Sequence, residues 1–212
     1  MREAFTYLRA DYTVDQLVLV ANHIGDGYAC AYTSYRQSFC GVSATPTYLV
    51  DYIYKHVGGG HTWDYHYNII SAWVDAQLAK TAPCTIDITY DALGGGKDPT
   101  GTFYAVALVE KGDGTKEVVQ AKQITLTGVT DPDSVVLHTT VTLDTDITGS
   151  YKVWMIVFEE PVSTYHFVVR GGTHPPIVLD ISDSGESVTY SWSNDTNDIQ
   201  PTSLGHIKSL FQ

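Results

Sequence analysis

The chain has 212 residues and a formal net charge of −12, from 12 Lys and Arg against 24 Asp and Glu, and 43% of it is apolar. That apolar share excludes a solvated acidic tail, and the shortage of cations argues against nucleic acid as a partner, because phosphate binding needs clustered Lys and Arg. The longest apolar run, Val153 to Phe158, is far short of the ~20 residues a membrane-spanning helix requires.

From Met1 to about Ala82 helical and extended patterns alternate. Ala4, Phe5 and Leu8 share one helical face that ends near Asp11. Leu17-Val18-Leu19-Val20-Ala21 is a continuous apolar run of the buried, parallel-strand type. Tyr32 to Phe39 reads as a short helix closed by Gly41, a residue that tolerates the positive φ of a helix C-terminus. Thr47–Val50 and Ile53–Val57 read as strands joined by Asp51-Tyr52 as a hairpin turn, and Gly58-Gly59-Gly60 then breaks the chain. Asp64 is expected to cap a helix with Ile69, Ile70, Trp73, Val74 and Leu78 on its apolar face.

Beyond Ala82-Pro83 the helical spacing gives way to strands. Ile86, Ile88 and Tyr90 alternate with polar residues, as do Val135 to Leu143 and Val188, Tyr190 and Trp192. Turn clusters separate them at Gly94-Gly95-Gly96, Lys111 to Gly114, Asp131-Pro132-Asp133, Asp144-Thr145-Asp146 and Ser182 to Gly185. Such spacing predicts an antiparallel sandwich. The segment Thr102 to Leu143 and the segment Ser150 to Trp192 run through similar strand successions, which suggests two partial repeats, and Leu204 to Phe211 reads as the start of a third. Phe103–Val109 and Val153–Phe158 are apolar on both faces, so each needs a cover on its outer side, from this chain or from a neighbour.

Gly41-Val42-Ser43-Ala44-Thr45-Pro46-Thr47, followed by strand, turn, strand and Gly58-Gly59, resembles the second half of a thioredoxin fold. The combination is similar to secreted, outer-membrane-associated thioredoxin-like proteins of bacteria that carry an immunoglobulin-like sandwich afterwards. The resemblance covers Arg2 to Ala79 and implies a cis Thr45–Pro46 peptide beside the place of a redox site. The W-C-x-x-C motif of that family would precede the first helix, and no cysteine lies between Met1 and Ala29. The implied fold class is therefore α+β in two domains: a truncated, redox-inactive thioredoxin-like domain over 1–82, then an antiparallel immunoglobulin-like β-sandwich over 83–212. A truncated sheet would also lack its first strand and leave an edge to be covered.

Chemistry-bearing residues are few. Cys30 and Cys40 flank the second helix and either form a disulfide in an oxidising compartment or remain, with Cys84, buried free thiols. His61, Asp64 and His66 offer two imidazoles and a carboxylate, but without a helical i, i+4 pair or a fourth ligand they read as an ordinary helix entry. Asp131 with Asp133 and Asp144 with Asp146 are hard-oxygen clusters of the kind that bind Ca2+, and equally common in acidic turns; no other cofactor is expected. No G-x-S-x-G, Walker loop, H-E-x-x-H or G-x-G-x-x-G occurs, so no enzyme is expected.

Met1 to Thr6 contains no apolar signal-peptide core. The Thr-, Ser-, Tyr- and Gly-rich composition and the Asn194-Asp195-Thr196 sequon nonetheless favour an extracellular or cell-surface location. The expected role is non-catalytic and rests on protein–protein contacts, foremost homo-oligomeric self-assembly into an oligomer or filament through open strand edges. Two alternatives stand beside it. One is a surface adhesion or carbohydrate-binding module using Trp63, Trp154 or Trp192 as stacking platforms. The other is a fragment of a thioredoxin-like thiol–disulfide oxidoreductase with its C-x-x-C upstream.

Overall fold

The computed structural model describes residues 2–93, 101–162, 165–194 and 198–202. The Gly94-Gly95-Gly96 cluster, the Asp195 and Thr196 of the sequon, and the candidate third unit Leu204 to Phe211 lie outside the described residues. The fold is mixed α/β and rich in strands. Helices α1 (Arg2–Asp11), α2 (Ala31–Phe39) and α3 (Trp63–Leu78) come early, with the hairpin β1 (Thr47–Val50) and β2 (Tyr54–Val57) between the last two. Strands then follow: β3 (Cys84–Ala92), β4 (Thr102–Lys111), β5 (Val118–Thr125), β6 (Val135–Leu143), β7 (Tyr151–Glu160), β8 (Val168–Gly172), β9 (Ile177–Val178), β10 (Ser187–Ser193) and β11 (Asp198–Thr202).

Two antiparallel sheets face each other. One has the order β11-β10-β6-β3, the other β5-β4-β7-β8 with β9 also paired to β7. Period-2 alternation sends Cys84, Ile86 and Ile88 of β3 and Leu137 and Val141 of β6 inward against Ala105, Ala107, Val153, Met155 and Val157. The two stretches Lys116–Gln120 and Ile124–Leu126 merge into the single strand β5 and its exit.

The outer faces of β4 and β7 are covered by the chain itself. Val106, Leu108, Trp154, Ile156 and Phe158 pack against Tyr32 of α2, with Tyr35, Phe39, Val18 and Val20 at the margin. A third cluster, Leu8, Tyr48, Ile70 and Val74, joins α1, the hairpin and α3. The run Leu17–Ala21 differs from expectation: it forms no strand ladder, only an isolated parallel bridge from Ala21 to Val168. Its residues are held by side-chain burial between two layers, Leu17 toward the α1–α3 cluster and Val18 and Val20 toward β4 and β7, and among the described residues a strand, β8, meets it only at Ala21. Leu78, expected on the buried face of α3, is exposed; the buried stripe is His66, Ile70 and Val74 at four-residue spacing.

Val50 pairs directly with Tyr54, so the hairpin turn has three residues, with Asp51 at φ +45° and Tyr52 at φ +58°. Burial pushes the Asp51 carboxyl up to about 6, Glu117 adding to the rise and Lys80 opposing it. Between pH ~4 and ~6 the folded state holds a proton that the unfolded chain has released, so stability falls as pH rises through that window. Asparagine removes this penalty and tolerates the left-handed backbone. Asp51→Asn is expected to stabilise the fold by about 1–2 kcal/mol at pH 7 and by little near pH 4; melting curves at the two pH values check it.

Candidate functional site at the cis-proline corner

Alternation along β2 turns Tyr54 and His56 toward α3, where Tyr54 stacks on Trp73 with ring centroids 5.3 Å apart. His66 opens the buried stripe of α3, so the two imidazoles meet at 5.6 Å. Tyr48, the cross-strand partner of His56, stacks on it at 5.9 Å and lies 5.4 Å from His66. The glycine loop 58–60 then carries His61 to 6.3 Å from His56 and 6.1 Å from His66, against Tyr65 at 4.0 Å. Gly58, at φ +106°, donates its backbone N–H to the Pro46 carbonyl at 2.8 Å, which ties this loop to the corner at Thr45–Pro46, a cis peptide.

His66 is 1% exposed, and the Nε2 atoms of both His56 and His66 are buried without a hydrogen-bond partner. Burial, reinforced by the neighbouring imidazoles of His56 and His61, holds the His66 pKa below its ordinary value, while a hydrogen bond to the Gly59 carbonyl opposes that fall. Sequence reasoning singled out His61 and His66 but missed His56; its shared strand face with Tyr54 was the available signal. Thr62, not Asp64, is the N-cap of α3: Asp64 lies in the first turn, its pKa lowered chiefly by a hydrogen bond from Thr62.

An aromatic face adjoins the corner. Tyr7 of α1 stacks on Trp63 at 4.4 Å and meets Tyr67 edge-on at 6.4 Å, and Tyr7, Trp63 and Tyr65 are all exposed. Of the expected stacking platforms only Trp63 is accessible. Trp154 and Trp192 are 0% and 1% exposed, because their strand positions point into packed layers. A groove of about 560 Å³ lies on the other flank of α1, lined by Phe5, Arg9, Leu19, His23, Tyr165 and Phe167.

Cys30, Cys40 and Cys84 are free thiols. Cys30 and Cys40 are the N-cap and C-cap of α2; ten residues at 1.5 Å each separate them by about 15 Å, whereas a disulfide needs Cα atoms within about 7 Å. Of the two states the sequence left open, the structure has the free thiols and not the Cys30–Cys40 disulfide: the helix between the two cysteines holds them apart. Burial raises the Cys40 thiol pKa and pushes that of Cys84 up to about 12, the reverse of an activated thiolate.

The acidic turns serve their own backbone. Asp131 Oδ1 accepts from the Asp133 N–H at 3.1 Å, and Asp146 Oδ1 accepts from the Ser184 N–H at 2.7 Å. The Asn194 amide donates to the Pro132 carbonyl at 3.2 Å and to Asp133 at 3.0 Å. Among the described residues no three His, Cys, Asp or Glu side chains stand gathered around a common ion position.

The structure also aligns Asp91, His138 and Ser191 across β3, β6 and β10. His138 Nδ1 lies 2.7 Å from Ser191 Oγ, and Nε2 lies 3.0 Å from Asp91 Oδ2. A nucleophilic serine must be reachable and its carboxylate sheltered. Here Ser191 is 6% exposed while the Asp91 side chain is 71% exposed. The three residues make a cross-strand polar ladder, extended by the contact of Thr140 with Thr189 at 2.7 Å. Among the described residues no helix is long and apolar enough to cross a membrane. No protein-family model, curated protein or solved structure matches this chain.

Proposed function

We propose that the chain is a non-catalytic protein of the cell exterior or surface that works through protein–protein contacts, chiefly with further copies of itself. The observation that carries this reading is the four-stranded sheet, whose end strands β3 and β11 each have, among the described residues, a ladder on one side only. Four strands of alternating direction leave β3 and β11 running oppositely. A second copy in the same orientation therefore sets its β11 antiparallel to β3. Such a head-to-tail contact does not close on itself and propagates as a fibre. The buried thiols with raised pKa and the inaccessible Ser191 support a non-catalytic role. The same reading takes 1–82 as a thioredoxin-like unit, on its helix, extended segment, helix, hairpin, helix order, and 83–212 as an immunoglobulin-like sandwich of two facing sheets. The two-sided strands β4 and β7 no longer argue for a partner, since α2 covers them.

Copies carrying −12 each repel one another, and salt screens that repulsion within about 10 Å at 0.1 M. Light scattering and electron microscopy are expected to show mass growing with protein concentration and with ionic strength, and hydrogen exchange to slow along Thr85–Asp91 as it grows. A strict monomer at high concentration and high salt would sink self-assembly. It would favour instead an adhesion or carbohydrate-binding role for the Tyr7, Trp63 and Tyr65 face, whose stacked, exposed rings specifically support that second reading.

A further inference from the structure

We propose that the cavity between the C-terminal end of α3, the β1–β2 turn and β5 binds a small zwitterion with an apolar body, a free amino acid or short peptide. Its volume is about 460 Å³, within the ~300–1,000 Å³ range of small-ligand sites. Leu17, Val50, Val74 and Val118 supply apolar walls. A few polar groups converge on that lining, which is the make-up of a site that orients what it holds.

Asp51 is the group that selects an ammonium. Its half-buried side chain lines the cavity, and among the described residues its carboxylate accepts no hydrogen bond. Burial and the like charge of Glu117 both work against its ionised form, and Lys80 opposes them only through its charge. A carboxylate kept under that penalty beside an open cavity is a place for an incoming cation. Gln77, on the α3 wall, has a buried Nε2 with no hydrogen-bond partner, an amide donor that the fold leaves unmet.

The partners for an anionic group stand on the same lining. Glu117 Oε1 accepts from the Lys80 ammonium, and Glu117 Oε2 accepts from that of Lys111 at 2.5 Å. An ammonium has three donors, and Glu117 takes one from each lysine, so both keep donors for a ligand carboxylate. Two ammoniums against one carboxylate leave this trio with a net positive charge, facing the negative Asp51. Asp15, exposed on the same lining, is met by Lys122 at 3.4 Å. A molecule carrying one charge of each sign complements the cavity at both groups. The site goes beyond self-assembly and does not depend on it, since none of these residues belongs to β3 or β11.

Calorimetry on the full chain at pH 7, with leucine and with leucyl-leucine, tests the site; the two probes separate a free amino acid from a peptide. One equivalent of at least one probe is expected to bind with a dissociation constant below about 1 mM. Acetylating the amino group of that probe, or amidating its carboxylate, is expected to weaken binding at least roughly 10-fold. Asp51→Asn is expected to weaken it as much while melting higher than the parent chain at the same pH, so the loss is not one of folding. The acetylated probe tests the same contact without any substitution. Absence of saturable binding of both probes up to about 10 mM overturns the proposal. So does an acetylated or amidated probe that binds as tightly as the free one, or full affinity retained in Asp51→Asn.

Discussion

Glu110→Ala is expected to destabilise the protein by about 3–5 kcal/mol, because it strands the Arg36 guanidinium in the interior without a counter-charge. The two side chains are 2% and 0% exposed, and Arg36 Nη1 donates to Glu110 Oε2 at 3.3 Å. Arg36 cannot escape by losing its proton. Despite the burial that works against the charge, the nearby Tyr52, Tyr32 and Cys40 groups shift its pKa further upward. Burial alone would push the Glu110 pKa up strongly, and the facing guanidinium restrains that rise. The guanidinium carbon also lies 4.0 Å from the Trp154 ring centroid and 4.1 Å from that of Tyr52, so two aromatic rings attract the charge. Replacing the pair together, as Arg36→Met with Glu110→Leu, is expected to restore most of the loss, since the desolvation penalty disappears with the charges. Urea unfolding of the single and double variants measures both. A Glu110→Ala loss below about 1 kcal/mol, or a double variant as unstable as the single, would show that the guanidinium is not confined as described.

Trp154→Ala is expected to cost about 3–5 kcal/mol by the cavity it opens, and to do so unevenly. The ring stands on the outer face of β7, wholly buried, with Phe39 at 5.3 Å, Tyr35 at 6.0 Å and Tyr32 at 6.1 Å. Those three belong to α2, so the loss falls on the contact that seats this helix on the sheet. Hydrogen exchange in α2 and in Leu17–Ala21 is expected to accelerate well before that in β3, β6 and β10. Val106, Ile156 and Phe158 then become accessible, and non-specific association follows. Trp192→Ala, buried between the sheets, provides the contrast, with all strands loosened together. Equal acceleration everywhere in Trp154→Ala would refute the idea that the ring acts chiefly through α2.

Most of the elements were readable from local pattern. The period-2 stretch Val135–Leu143 is β6, with Val135, Leu137, Thr139, Val141 and Leu143 turned inward. Gly41 does close α2, at φ +60°. The failures came where a residue's fate depended on a partner distant in the chain. Leu17–Ala21 looks like a strand, yet a ladder needs a neighbour along its whole length, and β8 offers it one bridge. Cys30 and Cys40 look pairable at ten residues' separation until the chain between them coils into α2.

At the candidate site the division is the same. The chain's own text determined the two-sided apolar character of β4 and β7, the glycine loop before α3, and His61 and His66 as residues to watch. Hydrophobic burial and backbone geometry act over neighbouring positions and leave their period in the sequence. Only the tertiary structure decided that α2 covers those strands and that His56 stands 5.6 Å from His66. It also decided that Asp91, His138 and Ser191 line up with the serine sealed in. Each of these depends on strand register and on the docking of one layer upon another, which are set by the sum of many weak contacts across the chain and leave no period to read.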